Sequence, residues 1–456
     1  MLFWLLSCKL GDDGGFAPAD SPASESAPSE SAAPDSDALP WPALSLVEAW
    51  ESDEADVATG VGALDIDQDG DLDLLVANGN DITPGPLRLY LNQGGALETT
   101  ASWVSDTVAY YGHLSVGDLD GDGLEDVVVS RFLGPGRFTE PGGVERFMNL
   151  GGALEPSPSW TAEGLFSFSN ALGDIDGDGD LDLAVAVGEP YKNPPGRSLL
   201  FLNDGAGDLG LAPAWTTERD RHAMDVTFAD LNGDGALDLV FANLGDAHTV
   251  YLNDGGLPAN TPSWEAPDAH GPYEGNTVDW GDLNGDGVLD LVISDNLQLG
   301  GPGVVRAWCG PSLDLCWTSK DEAAYQSALS LEDVDGDGDL DLFAGSWWGV
   351  GRLYLNDGAG LATTPSATTE RSVVYEALVW LDLDGSHAAE VTLSGVGLAP
   401  VPGRAPVRAL VGAVSADGWI SGSGAWTATV LAPAPRDLVV TTWDKNVGNL
   451  LFQRAP

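Results

Sequence analysis

The chain has 456 residues, of which 43% are hydrophobic, so it can bury a large apolar core. Its 59 glycines and 29 prolines favour many turns and short strands over long helices. Lys and Arg total 18 against 71 Asp and Glu, and the net charge is −53. This charge excludes nucleic acid and anionic lipid surfaces as direct partners, and it favours cations. Solubility would explain a diffuse excess of acid, but these Asp residues follow a pattern.

Residues 1–8 end in Leu5-Leu6-Ser7-Cys8, which resembles a bacterial lipoprotein signal with its lipid-acceptor cysteine. The apolar stretch before Cys8 is short and lacks a basic start, which a misassigned start codon or a chance match would also explain. Residues 9–43 are rich in Pro, Ser, Ala and acid, and cannot bury enough apolar surface to fold. The resemblance implies a lipidated Cys8, a disordered tether over 9–43 and a folded domain over 44–456. We expect a cell-surface or outer-membrane protein that touches the membrane only through its lipid.

A nine-residue acidic segment recurs in the folded part, with the pattern Asp-x-Asp/Asn-x-Asp-Gly-x-x-Asp. Successive copies begin 53, 56, 56, 52, 51 and 49 residues apart. We number the six complete copies loops 1 to 6. Their residues at positions 1, 3, 5 and 9 are Asp65, Asp67, Asp69 and Asp73; Asp118, Asp120, Asp122 and Asp126; Asp174, Asp176, Asp178 and Asp182; Asp230, Asn232, Asp234 and Asp238; Asp282, Asn284, Asp286 and Asp290; and Asp333, Asp335, Asp337 and Asp341. A seventh, weakened copy carries Asp382, Asp384 and Glu390.

Each acidic loop lies between short apolar runs that read as β-strands. A run enters the loop, a second run leaves it, a third often ends in Asn, and a fourth carries a Trp. The Asn residues are Asn92, Asn203, Asn253 and Asn356, and the Trp residues, which we expect to pack between repeats, are Trp103, Trp160, Trp215, Trp264 and Trp317. Four strands in about 50 residues match one blade of a β-propeller. The sequence therefore predicts an all-β propeller of four-stranded blades.

The number of blades depends on how the C-terminal repeat is interpreted. The runs at 437–440 and 449–452 reproduce two central strands without an acidic loop, and we read them as an eighth unit. The segment 45–50 would supply its missing strand, so that the two ends of the chain pair and close the ring. The alternative is seven blades with the last unit as an irregular cap.

The chemistry of the acidic loops points to calcium. Ca²⁺ takes six to eight oxygen ligands, and Asp at positions 1, 3, 5 and 9 can direct several carboxylates into one concavity, with a backbone carbonyl at position 7. Gly at position 6 allows the sharp turn that this requires. An EF-hand ends in Glu at position 12 between helices, so these loops are not EF-hands. Asp and Gly also form plain turns, but six copies favour about six calcium ions, or seven if the weak loop binds.

These repeats resemble the FG-GAP/VCBS family, best known from the N-terminal propeller of integrin α subunits, over about residues 45–453. The resemblance implies a propeller with calcium in the loops between the first two strands of each blade. It also implies a surface or secreted protein that binds a protein or a carbohydrate on the opposite face. The weak seventh loop, the missing eighth loop and the eight units, against seven in integrins, depart from the family.

Two further cysteines, Cys309 and Cys316, flank a short turn. They could face each other across a hairpin and form a disulfide in an oxidising compartment. Two free thiols are equally compatible with the sequence.

The sequence favours a binding or adhesion module over an enzyme. It has neither His-Glu-x-x-His nor Gly-x-Ser-x-Gly, and its histidines are scattered. Ring-bearing residues recur just before the strand that enters each loop, and we take them as candidates for contacting a carbohydrate or surface-protein ligand: Tyr111, His113, Phe168, His222, Tyr273, Tyr325 and Tyr375. Packing at the corners between blades would explain them equally well. A polysaccharide-degrading enzyme of this fold and a passive spacer remain alternatives, and we expect a monomer.

Overall fold

A computed structural model describes residues 46–454 except 55, 336, 370–371, 382–389, 396–408, 411–426, 429–436 and 441–449. The predictions for Cys8, the 9–43 tether, Asp382 and Asp384, and for the side chain of Glu390, lie outside the described residues. Residues Ala43–Pro456 form one compact unit. Within the described ranges, no helix has the length and apolar character needed to cross a bilayer.

Six antiparallel four-stranded sheets follow one another along the chain, and we call them blades 1 to 6. Blades 1 to 3 comprise β2 (Ala58–Leu64), β3 (Asp73–Asn78), β4 (Leu87–Tyr90) and β5 (Trp103–Val104); β6 (Tyr110–Gly117), β7 (Asp126–Gly134), β8 (Arg137–Phe147) and β9 (Trp160–Leu165); and β10 (Ser167–Gly173), β11 (Asp182–Val187), β12 (Leu199–Phe201) and β13 (Trp215–Thr216). Blades 4 to 6 comprise β14 (His222–Ala229), β15 (Asp238–Leu244), β16 (Thr249–Tyr251) and β17 (Trp264–Glu265); β18 (Gly275–Gly281), β19 (Asp290–Asp295), β20 (Val304–Cys309) and β21 (Asp314–Thr318); and β22 (Tyr325–Glu332), β23 (Asp341–Trp347), β24 (Arg352–Tyr354) and β25 (Ala367–Thr368). One 3₁₀ turn, Asp268–His270, precedes blade 5.

The first strand of each blade lies innermost, and these inner strands form a ring. Each contacts the inner strand of the next blade, and β26 (Tyr375–Leu381) contacts both β22 and β2. Polar side chains join neighbours across the ring: Thr59 donates to the Tyr111 carbonyl (2.7 Å), and Ser115 donates to the Asn170 carbonyl (3.0 Å). The inner strands are buried along nearly their whole length because both neighbours cover them. The fold is therefore an all-β propeller.

Beyond blade 6 the prediction of eight four-stranded units, and the alternative of seven, are both wrong. The described residues contain six four-stranded blades and one five-stranded sheet of order β1–β31–β30–β27–β26. This sheet combines β26 and β27 (Glu390–Gly395) with β30 (Asp437–Val440), β31 (Leu450–Arg454) and β1 (Leu46–Glu51), while β28 (Ala409–Leu410) and β29 (Thr427–Ala428) pair separately. The described residues of the predicted eighth unit include no inner strand, its sequence has no acidic loop, and β30 pairs in parallel with the edge of β27.

The two ends of the described chain meet in the five-stranded sheet. Strand β1 pairs with β31 in antiparallel register, and Leu46 lies opposite Arg454. The chain ends therefore pair as the sequence predicts, although they do so within a mixed sheet.

The repeated Trp residues join each blade to the next. Trp160, Trp215 and Trp317 meet Phe201, Tyr251 and Tyr354 of the following blade edge to face, with ring centroids 5.6, 5.2 and 5.4 Å apart. Their indole N–H groups donate to the carbonyls of Gly210, Pro258 and Leu361 at 2.7 to 2.8 Å, again in the following blade. The described part of the chain therefore confirms that these residues pack between blades.

Candidate metal centres and the opposite face

Each acidic loop joins the inner strand of its blade to the second strand, so the six loops lie at one end of the ring. Gly at position 6 has a φ of 83 to 101° in every complete loop, a conformation that side chains with a Cβ rarely adopt. This turn directs the glycine N–H back to the carboxylate at position 1; Gly70, for example, donates to Asp65 Oδ2 at 3.1 Å. Each loop therefore curls around its own first aspartate.

Carboxylate oxygens converge inside these curled loops. In loops 1, 2, 3 and 6, three acids each place one oxygen within 4.8 Å of the other two: Asp65, Asp67 and Asp73; Asp118, Asp120 and Asp122; Asp174, Asp176 and Asp182; and Asp333, Asp335 and Asp341. Loops 4 and 5 have the same backbone turns but carry Asn232 and Asn284 at position 3. An asparagine can still offer a neutral carbonyl oxygen to a cation.

The aspartate at position 9 fixes the base of each loop. One of its oxygens accepts the N–H of position 2, as between Ile66 and Asp73 Oδ2 (3.1 Å). The other accepts an N–H just after the third strand, as between Asn92 and Asp73 Oδ1 (2.7 Å). All six complete loops repeat both bonds, with Gly310 taking the place of the asparagine in blade 5. These aspartates are therefore structural whether or not an ion binds.

Burial raises the pKa of every position-9 carboxyl, and negative charges in the same loop raise it further. The pKa reaches about 8 for Asp341, about 7 for Asp73 and Asp182, and about 6 for Asp126, Asp238 and Asp290. Their two backbone donors act in the opposite direction. The loops thus gather negative charge that a cation would neutralise.

This donor set fits a hard divalent cation. Every converging ligand atom is a carboxylate oxygen, without sulfur or imidazole among the clustered acids. Such ligands suit Ca²⁺, whereas Mg²⁺ prefers to keep its waters. The residues at positions 1, 3, 5 and 9 of each complete loop would hold the ion, and it would balance their mutual repulsion.

Cys309 and Cys316 form a disulfide between β20 and β21, with Cα atoms 5.7 Å apart. The disulfide of blade 5 lies next to Gly310 in sequence. At the position of Gly310, just after the third strand, the other five described blades have an asparagine. Sequence reasoning used those asparagines only to mark strand ends. Their recurrence at one position was the signal that they also bind the acidic loops.

The end of the ring opposite the acidic loops, which we call the far face, does not present the predicted ring of aromatic ligand contacts. Tyr111, His113, Phe168, Tyr273 and Tyr375 are buried, and His222 is only partly exposed. Tyr111 donates to Glu145 (3.0 Å), Tyr273 donates to the Pro267 carbonyl (2.6 Å), and Phe168 packs on Phe132 and His113. The prediction is wrong for the buried rings because they fill the corners between blades. Tyr325, which is 36% exposed, stays a candidate for contacting a ligand.

Other side chains are exposed on the far face. They lie on loops that join second to third strands, or one blade to the next: Ile82, Val108, Tyr191, Leu299 and Trp348. Trp348, 59% exposed, meets Tyr325 edge to face with centroids 5.4 Å apart. Tyr191 of blade 3 donates to Gln298 of blade 5 (2.7 Å), so these loops meet across the end of the ring.

Residues 65–129, 174–241 and 230–293 match the family model described as FG-GAP-like repeat. Each match begins at position 1 of an acidic loop and ends within the strand that follows the next loop. Integrin alpha-PS2 of Drosophila melanogaster is 34% identical over 115 residues, which cover 21% of this chain and 8% of the relative. The chain thus matches less than a tenth of that relative's length.

Among solved structures, two crystal structures of BBS1N in complex with ARL6DN, soaked with mercury or with lead, are 12% identical to this chain. Each match covers 74% of this chain. It covers 89% of the matched chain in the mercury-soaked structure and 90% in the lead-soaked one, with a TM-score of 0.49 in both cases. The protein is therefore a β-propeller in which three segments match the FG-GAP-like repeat model, and part of it is similar to an integrin alpha subunit.

Proposed function

We propose that this protein is a calcium-stabilised propeller that binds a carbohydrate or protein ligand through its far face. The observation that carries the proposal is that the loops at the two ends of the ring differ in how strongly they are repeated. The acidic loops have almost the same sequence in every blade, which is expected of a structural role. The far-face loops differ from blade to blade and carry exposed apolar groups. The similarity to an integrin alpha subunit supports a binding role at a cell surface.

The proposal treats the protein as a binder rather than an enzyme, and as a monomer without affinity for nucleic acid. Its high negative charge supports the last point. We further propose that a lipid on Cys8 holds it at the outer surface of the cell, with residues 9–43 as a tether. Lipid labelling of the parent and of Cys8→Ala in a bacterial host tests this anchor, and equal labelling would contradict it.

The binding proposal is tested by a glycan and surface-protein screen, run in calcium and in chelator. Any hit is then measured with Trp348→Ala, which removes the most exposed aromatic ring of the far face. We expect a loss of about 1–3 kcal/mol in binding free energy because stacked aromatic rings are typical hot spots. Leu211→Ala is the control, because Leu211 is 91% exposed but lies in the loop between β12 and β13, on the side of the acidic loops. Equal affinity of both variants and the parent would contradict the far-face assignment.

A further inference from the structure

Three buried asparagines each contact the acidic loops of two neighbouring blades. We call Asn203, Asn253 and Asn356 the bridging asparagines. Their main-chain N–H groups donate to the position-9 aspartate of their own blade, at 2.9, 2.7 and 2.7 Å. Their side-chain Nδ2 atoms donate to the position-2 carbonyl of the preceding blade's loop, at 2.7, 2.7 and 2.8 Å; these carbonyls belong to Leu119, Ile175 and Leu283.

The residues whose carbonyls accept these bonds are also hydrogen-bonded to the position-9 aspartate of their own loop. The N–H groups of Leu119 and Ile175 donate to Asp126 Oδ2 (3.0 Å) and Asp182 Oδ2 (3.1 Å), the position-9 aspartates of their own loops. Hydrogen bonds therefore run without interruption through loops 2, 3 and 4. From one end of the series to the other, they link Asp126, Leu119, Asn203, Asp182, Ile175, Asn253, Asp238 and Leu231. A second, shorter series links loops 5 and 6 through Asn356.

The sequence of blade 5 separates these two series. Its residue after the third strand is Gly310, whose N–H still reaches Asp290 (2.9 Å) but which has no side chain to reach back to loop 4. A larger residue would not fit there, because a Cβ would lie 2.5 Å from Val288 Cγ1 and 2.6 Å from the Leu289 carbonyl. Blade 2 differs in another way: Asn149 holds Asp126 through its N–H (2.8 Å), but its buried Nδ2 has no hydrogen-bond partner among the described residues. The position-2 carbonyl of loop 1, on Ile66, instead accepts the main-chain N–H of Gly152 (2.9 Å).

We propose that the bridging asparagines couple the calcium sites of neighbouring blades, so that loops 2–4 fill as one cooperative group and loops 5–6 as another. The inference rests on the proposed calcium binding. A filled site would hold its position-9 aspartate, and with it the bridging asparagine. That asparagine in turn holds the position-2 peptide of the preceding loop, which lies between two of that loop's ligands. Ordering one site therefore lowers the entropy cost of ordering the next, and the coupling is reciprocal.

Calcium binding to the decalcified full chain, followed by calorimetry, tests the coupling. In the parent, Asp230→Ala should empty loop 4 and also weaken neighbouring sites, by roughly five- to 150-fold if the coupling is of ordinary size. Asp282→Ala should empty loop 5 and leave loops 2–4 unchanged, because Gly310 interrupts the series. In an Asn253→Ala background, Asp230→Ala should remove one ion and leave the affinity of the others as it was.

Asn149→Ala is the matched control. Asn149 occupies the same position, and its side-chain oxygen likewise accepts a loop N–H, from Gly151 at 2.9 Å, but its Nδ2 reaches no neighbouring loop. Cooperativity should persist in this variant and fall in Asn253→Ala at equal fold content by circular dichroism. If Asn253→Ala does not fold, Asn203→Ala makes the same comparison for loops 2 and 3. Sites that fill independently in the parent overturn the coupling alone. A parent that binds no calcium overturns the proposed function as well.

Discussion

At the scale of single residues, the acidic loops contain side chains of two kinds. Those at positions 1, 3 and 5 are mainly partly or fully exposed and available to a cation, while the position-9 aspartate is buried and accepts two N–H groups. The sequence pattern predicted both as metal ligands, since a motif records residue type and spacing. It could not separate the two, because the second partner of position 9 comes from just after the third strand, 15 to 23 residues further along.

One residue-scale prediction concerns Asp178, at position 5 of loop 3. Asp178→Ala removes a carboxylate that would bind the proposed calcium ion. We expect it to abolish the calcium-dependent stability of that site, about 2.7 kcal/mol when calcium is 100 times its dissociation constant. Asp180→Ala, at position 7, is the control, because only the backbone carbonyl is expected to act there. Thermal melts of both variants with calcium and with chelator check the prediction. Equal calcium shifts in the two variants would contradict it.

A second residue-scale prediction concerns pH in the metal-free protein. The position-9 carboxyls have a raised pKa in the folded state, so the folded protein holds their protons more tightly than the unfolded chain does. Their contribution to stability is complete below about pH 4 and is lost as pH rises through about 6 to 8. In chelator, the melting temperature should therefore fall between pH 5 and pH 8, and saturating calcium should largely remove this slope. A melting temperature that rises over this range in chelator would be the contrary result.

At the scale of strands and loops, the repeat predicted most of the blade. The loop spacing and the apolar runs placed four strands per unit, and the Trp positions correctly indicated packing between blades. The aromatic residues before each inner strand were misleading, because a ring packed in a corner and a ring facing a ligand have the same spacing. Only the neighbouring blade, which is distant in sequence, decides whether Tyr111 or Tyr375 is covered.

The contact of Trp215 with the next blade can be tested by mutation. Trp215 is 7% exposed, meets Tyr251 of the next blade and donates to Pro258. Trp215→Ala should lower the free energy of unfolding by about 3–5 kcal/mol, as expected for a large buried side chain. Trp348→Ala, at an exposed ring, should change it by no more than about 0.5 kcal/mol. Urea unfolding of the two variants checks the contrast, and similar losses would show that the Trp215 contact contributes little.

At the scale of the whole molecule, the sequence predicted the propeller and the pairing of its ends but not the number of blades. A count of repeats takes each pair of central strands as one blade, so the pair β30 and β31 was predicted to be an eighth blade. Their placement instead follows from the unpaired edge of β27 and from the ring that β26 completes beside β2. Both are properties of the closed ring rather than of any local segment.

The pairing of β1 with β31 has a consequence for how the molecule forms. Leu46 and Arg454 are roughly 400 residues apart in sequence, so this contact has among the largest loop-closure entropy costs in the fold. During synthesis the six blades can assemble in order, each on its predecessor, while β1 waits for β31, which follows all six in sequence. Until then β1 has an unpaired strand edge, and such edges recruit other chains. The pairing of β1 with β31 therefore removes an edge through which the chain could associate with its neighbours.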